Sequence, residues 1–191
     1  MIRPPRVACG YLNPSAAGSQ RGAISIHLRQ HGVKCFCVDQ ACGIAYNTIM
    51  EPFKVVIDTN VLVSALRSRS GASFRVLELL GSERFEIQVS VPLVLEYESA
   101  ARRVAPSVGL SAQDVADIID YVCRVANRRK IFFLWRPLLK DPKDDHVLEL
   151  AVEAQCDFIV TYNTRDFKGA DQFGLRVITG REFLEILGEL S

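Results

Sequence analysis

The stretch that most restricts the fold is Lys54 to Ala65, KVVIDTNVLVSA. Val55, Val56 and Ile57 are consecutive β-branched residues, which suit a strand buried on both faces. Asp58, Thr59 and Asn60 interrupt them, and an apolar run, VLVSAL, resumes at once. A carboxylate at the C-terminal end of a buried strand stands where open α/β sheets gather their ligand chemistry. Asp58 also has a plainer role open to it, because Asp, Thr and Asn all cap helices well. The acids further along the chain decide how the two readings are weighed.

Beyond Ser64 the pattern alternates. Residues 72–80 read as a helix with Phe74, Leu77 and Leu80 on one side, ended by Gly81. Phe85, Ile87, Val89 and Val91 alternate with Glu86, Gln88 and Ser90, a strand with one drier face. Pro92 stops that strand and suits the first turn of a helix over 93–104, which carries Glu96 and Glu98 near its start. After a loop, APSVGL, Ser111 and Asp114 are spaced as a capping box. Val115, Ile118, Ile119, Val122 and Val125 then form an amphipathic stripe, and Arg128, Arg129 and Lys130 suit the C-terminal dipole of that helix. Residues 131–135 read as another buried strand, 146–155 as a helix, 157–161 and 175–179 as strands, and Gly180 opens a last helix. Strands alternating with helices imply an α/β domain with a parallel sheet covered on both faces.

The 191 residues are enough for one domain with a proper core and few for two. Net charge is +1, so no global basic field announces nucleic acid, and no apolar run nears the ~20 residues that span a bilayer. The charge is nevertheless uneven: residues 1–49 carry net +4 and the remainder net −3. The first segment also holds Cys9, Cys35, Cys37 and Cys42 among Pro, Gly and Ser, with no sustained period. A zinc site there would use Cys35, Cys37 and Cys42 with His27 or His31, but the spacing lacks the usual paired ligands. A targeting peptide would use the arginines, but no apolar core and cleavage pattern follow. The favoured expectation is that residues 1–49 are an irregular extension upstream of a start at Met50. Residues 50–191 then form the working domain. Cys123 and Cys156 sit in apolar contexts as small core residues, and nothing calls for an oxidising compartment, so a cytoplasmic protein is expected.

Acids recur at matching topological points. Asp58 ends a strand, Glu96 lies in the first turns of a helix, Asp144 and Asp145 open another, and Asp166 follows the strand DFIVT. In a parallel sheet, strand C-termini and the following helix N-termini share one edge, so these acids can converge. Each alone has a capping role available, but four on one edge are self-repelling, and a hard divalent cation resolves that. Mg²⁺ or Mn²⁺ prefers oxygen ligands, activates water and stabilises charge at phosphorus. There is no P-loop and no G-x-G-x-x-G, and His27, His31 and His146 are the only histidines, which argues against nucleotide cofactors and a His-based triad. His146 reads as a solvated first-turn residue.

VVIDTNVLVSAL, VPLVLEYE, DPKDDHVLELA and DFIVTYNTRDF, in that order, resemble the motifs of PIN-domain proteins. More closely, they are similar to the toxin components of bacterial toxin–antitoxin systems. The resemblance runs from about Lys54 to the C-terminus. It implies a PIN-like α/β/α sandwich with a mostly parallel central sheet, and a Mg²⁺- or Mn²⁺-dependent ribonuclease acting on RNA. A cognate antitoxin that blocks the site is the implied partner, and a homodimer is expected by the same resemblance. Carried over, the catalytic and metal-binding acids fall on Asp58, Glu96, Asp144 and Asp166. Glu98 is the alternative for the second, and Asp145 and Asp141 are close enough to share the third. Asn163 stands where many relatives have Asp. Thr59, Asn60, Thr161 and Asn163 are expected to orient the carboxylates or the attacking water. Arg67, Arg69, Arg102, Arg103 and Arg165 are the candidate RNA contacts by their motif neighbourhood, with plain solvation the expectation for most of them. Two other classes stay open: a PIN-like RNA- or protein-binding module without catalysis, and an aspartate-based phosphotransferase. The latter usually carries a second Asp where this chain has Asn60.

Overall fold

The computed structural model describes residues 51–131 and 139–190. In chain order the elements are β1 (Phe53–Ile57), α1 (Thr59–Arg67), α2 (Ala72–Glu78), β2 (Phe85–Val89) and α3 (Val91–Val108). There follow α4 (Ala112–Val125), β3 (Asn127–Arg128), α5 (Asp145–Glu153), β4 (Phe158–Val160), a 3₁₀ turn (Ala170–Phe173), β5 (Arg176–Ile178) and α6 (Gly180–Ile186). The strands form one parallel sheet in the order β3-β2-β1-β4-β5, the α/β architecture expected from the alternating pattern.

β1 is central, and its Val55, Val56 and Ile57 are fully buried, as a strand covered on both faces must be. From β1 the chain builds outward to β2 and β3, then returns to add β4 and β5 on the other side. The strand order therefore reverses between β1 and β4, and the crevice outside the strand ends at such a switch point is where open α/β sheets bind ligands. At the opposite edge the strands begin with an aromatic plug. Phe53 meets Phe158 edge-on at 5.2 Å between ring centroids, and Phe183 of α6 meets Phe85 at 5.0 Å and Phe158 at 5.8 Å. These contacts secure β1, β2 and β4 at one end and leave the other end to polar side chains.

Three local expectations change. The alternation in β2 implies a wet face, yet Gln88 and Ser90 are buried, as residues on either side of a strand are in a parallel sheet covered on both faces. Gln88 offsets the cost of burial by accepting a 2.9 Å hydrogen bond from Arg129 Nε. The expected loop after residue 104 is helical instead: α3 continues to Val108 with Pro106 inside it. Pro106 is exposed and close to the helix end, where losing one N–H bond matters least. The stop comes from Gly109, whose φ of 71° reverses the chain so that Leu110 N–H reaches Ala105 O at 3.0 Å. Arg128, Arg129 and Lys130 do not end α4, which stops at Val125. Arg128 lies in the edge strand β3, and Arg129 N–H continues its ladder onto Val89 O at 2.8 Å. The expected strand at 131–135 falls, from residue 132 on, outside the described residues.

Other expectations hold. Ser111 and Asp114 form a reciprocal capping box at 3.1 and 2.7 Å. Cys156 is buried in the core and Cys123 half-buried against it. Burial pushes the Cys156 thiol up to about 12, so it stays protonated and inert.

Tyr97, fully buried on α3, donates its hydroxyl to the Ile57 carbonyl and so ties α3 to the C-terminal end of β1. Tyr97→Phe removes that donor and leaves a buried carbonyl short of a partner. The expected loss is about 1–2 kcal/mol in urea denaturation; an unchanged midpoint would show that the bond contributes nothing.

Candidate active site

The site starts from one backbone bond at the switch point: Asp58 N–H donates to Val160 O at 2.9 Å. It places the end of β1 beside the end of β4. Asp58 occupies the N-cap position of α1, yet its side chain makes no cap hydrogen bond, so the plainer role is not taken up. Its Oδ2 instead accepts Thr161 Oγ1 at 2.6 Å and Asn60 Nδ2 at 2.7 Å. Asn60 Nδ2 also lies 3.0 Å from Thr161 Oγ1, and Asn60 Oδ1 accepts the Tyr162 N–H at 3.2 Å. The Thr161 hydroxyl in turn accepts the Asn163 N–H at 3.0 Å. Asn60 and Thr161 thus orient Asp58 directly, whereas Asn163 reaches it only through its backbone and Thr161.

Asp58 is buried, and desolvation holds its carboxyl above the ordinary carboxylate range. The Thr161 hydrogen bond opposes that, the Glu96 charge adds to it, and the amides of Thr59 and Asn60 lower it. Glu96 projects from the second turn of α3, half-buried, with Oε2 3.0 Å from Nε2 of His146. His146 is the main reason the Glu96 carboxyl is held low; burial works the other way, and Thr59 and Arg103 lower it further. Asp144, at the N-cap position of α5, is the group most affected by crowding. Its carboxyl is pushed up to about 6, first by burial and then by the charges of Asp58, Asp141, Asp166 and Glu96. Acids from three other segments thus lie near enough to Asp144 for their charge to act on it.

The remaining expected residues divide. Asp166 lies half-buried in the turn after β4, its N–H bonded to Asn163 O at 3.0 Å. Asp145 is turned inward, accepting the Leu139 N–H at 2.8 Å, which anchors the approach to α5. Asp141 takes the Lys143 N–H at 3.0 Å. Glu98 points away from Glu96 on α3 and pairs with Arg102 at 2.6 Å. Thr59 has its hydroxyl buried beside Glu96, where its hydrogen bonding helps to hold that carboxyl low. Arg67, Arg69, Arg102, Arg103 and Arg165 are all exposed, and Arg103 acts on Glu96.

His146 departs from the solvated position that its place in the sequence implies. It is buried, because the first turn of α5 packs toward α3 and brings the ring onto Glu96. Its position beside Asp144 and Asp145 was the available signal; its burial could not be read from spacing.

The PIN domain family model matches residues 54–165, more than half of the chain. This chain belongs to the PIN domain family. The match includes Asp58, Glu96 and Asp144 and ends one residue before Asp166. A chain of the crystal structure of VapBC2 from Rickettsia felis, bound to a DNA fragment from their promoter, is similar at 15% identity and a TM-score of 0.48; the similarity covers 65% of this chain and 98% of that one. No curated protein matches the chain. PIN domains are generally nucleases, hydrolases of phosphodiester bonds, and typically use divalent metal ions.

The donor chemistry of this PIN domain fits such an ion. All the converging groups are carboxylates, hard oxygen donors suited to Mg²⁺ or Mn²⁺. Asp58 receives both of its side-chain hydrogen bonds on Oδ2, which fixes the plane of its carboxylate. Among the described residues no group of three or more acidic, His or Cys side chains is arranged to hold an ion directly. Coordination by one or two carboxylates with water completing the shell, as Mg²⁺ prefers, matches that arrangement.

Crowding weakens the fold. A carboxyl held at about 6 lowers stability as pH rises from its ordinary value of 3.8 through 6, because the folded state disfavours the charged form. Asp144→Asn in chelator-treated protein is therefore expected to raise the thermal midpoint at neutral pH by a few degrees. The difference should close as the pH approaches 3.8. A lower midpoint at neutral pH would contradict the crowding.

Proposed function

We propose that this PIN domain is a Mg²⁺- or Mn²⁺-dependent endoribonuclease acting as the toxin of a toxin–antitoxin pair. The observation that supports the nuclease reading is the gathering of acids at the switch point, where the charges of Asp58, Asp166 and Glu96 act on Asp144 and that of Glu96 acts on Asp58. Of Asp58, Glu96, Asp144 and Asp166, one or two would hold the ion directly and the others through its bound waters. When bound, the cation would activate a water molecule and neutralise charge developing on the phosphoryl oxygens. Asn60 and Thr161 keep Asp58 in one rotamer, so that its carboxylate needs no reordering when the ion arrives. His146 offsets the charge of Glu96 and moderates the repulsion among the acids. Hydrolysis then proceeds by attack of water on phosphorus and departure of one ester oxygen, with no covalent enzyme intermediate.

The toxin reading rests on the sequence motifs, which are similar to those of toxin components. It carries with it a cognate antitoxin that occupies the site, a homodimer and a cytoplasmic location. Among the described residues no helix is long and apolar enough to cross a membrane. A second reading is a PIN domain that binds RNA or protein without cutting. It is favoured by the lack of a ready-made ligand cluster among the described residues and by Asn163 at a frequently acidic place.

Cleavage of an end-labelled single-stranded RNA by the full chain, with Mg²⁺, with Mn²⁺ and with chelator, separates the two. The nuclease reading expects cutting that the chelator stops, and a loss of at least about 10²-fold on Asp58→Asn with the fold intact. RNA that is bound equally by both proteins and cut by neither would establish the binding module instead.

A further inference from the structure

A second feature lies on the same sheet edge as the acids. A groove of about 580 Å³ runs between the start of α3 and the end of α4, lined by Ser90, Val91, Leu95, Arg124, Arg128 and Arg129 among others. Asp120 is its one acidic lining residue. None of the three arginines has a carboxylate partner in an ion pair among the described residues. Arg129 is held in place: its Nε donates to Gln88 Oε1 at 2.9 Å, and Gln88 is fully buried. The guanidinium is thereby oriented, and among the described residues its terminal nitrogens make no hydrogen bond or ion pair. Arg128 is steadied by a 3.3 Å bond from Nε to the Cys123 carbonyl.

Ser90 is the N-cap residue of the 18-residue helix α3, yet its side chain caps nothing. It is buried to 3% exposure, and its hydroxyl has no partner among the described residues. A buried hydroxyl left unpaired at the positive end of a helix, facing a groove rimmed by three arginines, is an incomplete anion site. The sheet register puts it next to the acids. Ile57 pairs with Val160, Val55 with Ile87 and Val89 with Arg128, so one residue further on Thr161, Asp58, Ser90 and Arg129 stand side by side along the edge. At a strand spacing of roughly 4.8 Å, the backbones of Asp58 and Arg129 are about 10 Å apart.

We propose that this groove is a phosphate subsite for the RNA strand: Ser90, Arg124, Arg128 and Arg129 bind backbone phosphate beside the phosphodiester presented to the acids. Val91 and Leu95, 71% and 59% exposed, supply an apolar wall for the sugar or base. The subsite also answers an electrostatic problem, because a pocket of carboxylates repels the polyanion it must admit. Positive charge one or two strands away offsets that repulsion without neutralising the acids. The choice of RNA as the polyanion rests on the proposed nuclease function; the anion site itself does not.

The test is binding of a fluorescein-labelled single-stranded RNA by the full chain in chelator, over a series of salt concentrations. Arg124→Gln/Arg128→Gln, both exposed positions, should raise Kd roughly tenfold and lower the slope of log Kd against log salt by about 0.7 for each phosphate left without its arginine. Ser90→Ala should weaken binding severalfold while leaving the thermal midpoint equal or higher, since it removes an unpaired buried hydroxyl. A Kd and salt slope equal to wild type in the double variant would overturn the subsite. So would a double variant that loses polyglutamate binding but keeps RNA binding, which would assign the groove to an acidic protein partner. Wild type that binds RNA through these residues but cuts none keeps the subsite and removes the nuclease reading. Wild type that cuts RNA, with both variants unchanged in KM, does the reverse.

Discussion

The parallel pairing of β1 with β4 is the constraint on which the rest depends. Parallel strands have no local turn to align them, so their register is settled by burial and by the crossover between them. Here the aromatic plug at the strand starts fixes one end. The hydrogen bond from Asp58 N–H to Val160 O marks the other. A slip by one residue would exchange the two faces of β1 and carry Asp58 away from Thr161. The Asp58–Asn60–Thr161 triangle is therefore a consequence of core packing, and the site is as rigid as the sheet beneath it.

On that rigid edge the protein collects charges that repel. Asp58 and Asp144 are both held above the ordinary carboxylate range, largely by burial and partly by other acids. Glu96 is held low by His146. The two directions arise from neighbours rather than from residue type. Such an arrangement works against the isolated fold, and the proposed cation would relieve it, so the proposed chemistry and the strain would have one origin. The basic groove at Ser90 and Arg129 extends the same logic along the edge, with attraction for a polyanion placed beside repulsion.

Much of this was legible in the sequence because it follows from short-range patterning. The β-branched run before Asp58, the box at Ser111 and Asp114, and the acids at strand ends all encode their own placement. What was not legible depends on tertiary neighbours. Gln88 alternates like a surface residue, yet it is buried in a parallel sheet and bonded to Arg129 from the neighbouring edge. Pro106 reads as a helix breaker, and the helix continues past it because Gly109 supplies the stop. Arg128 and Arg129 read as dipole partners of α4, whereas a two-residue strand turns them into the rim of a groove. His146 reads as a solvated first-turn residue until α3 is placed against α5. Asp145 reads as a ligand beside Asp144, while the Leu139 amide claims it.

The central claim is that the acids of four segments share one cation-binding space at the switch point. Addition of Mn²⁺ to the ¹⁵N-labelled full chain tests it most directly, because the paramagnetic ion broadens amide signals near it. The account predicts that broadening begins at residues 58–60, 144–146 and 163–166 and spares Phe53 and Phe85 at the far edge. Broadening that centres on the exposed acids Asp114, Asp117 and Asp120 of α4, or none at all, would contradict it.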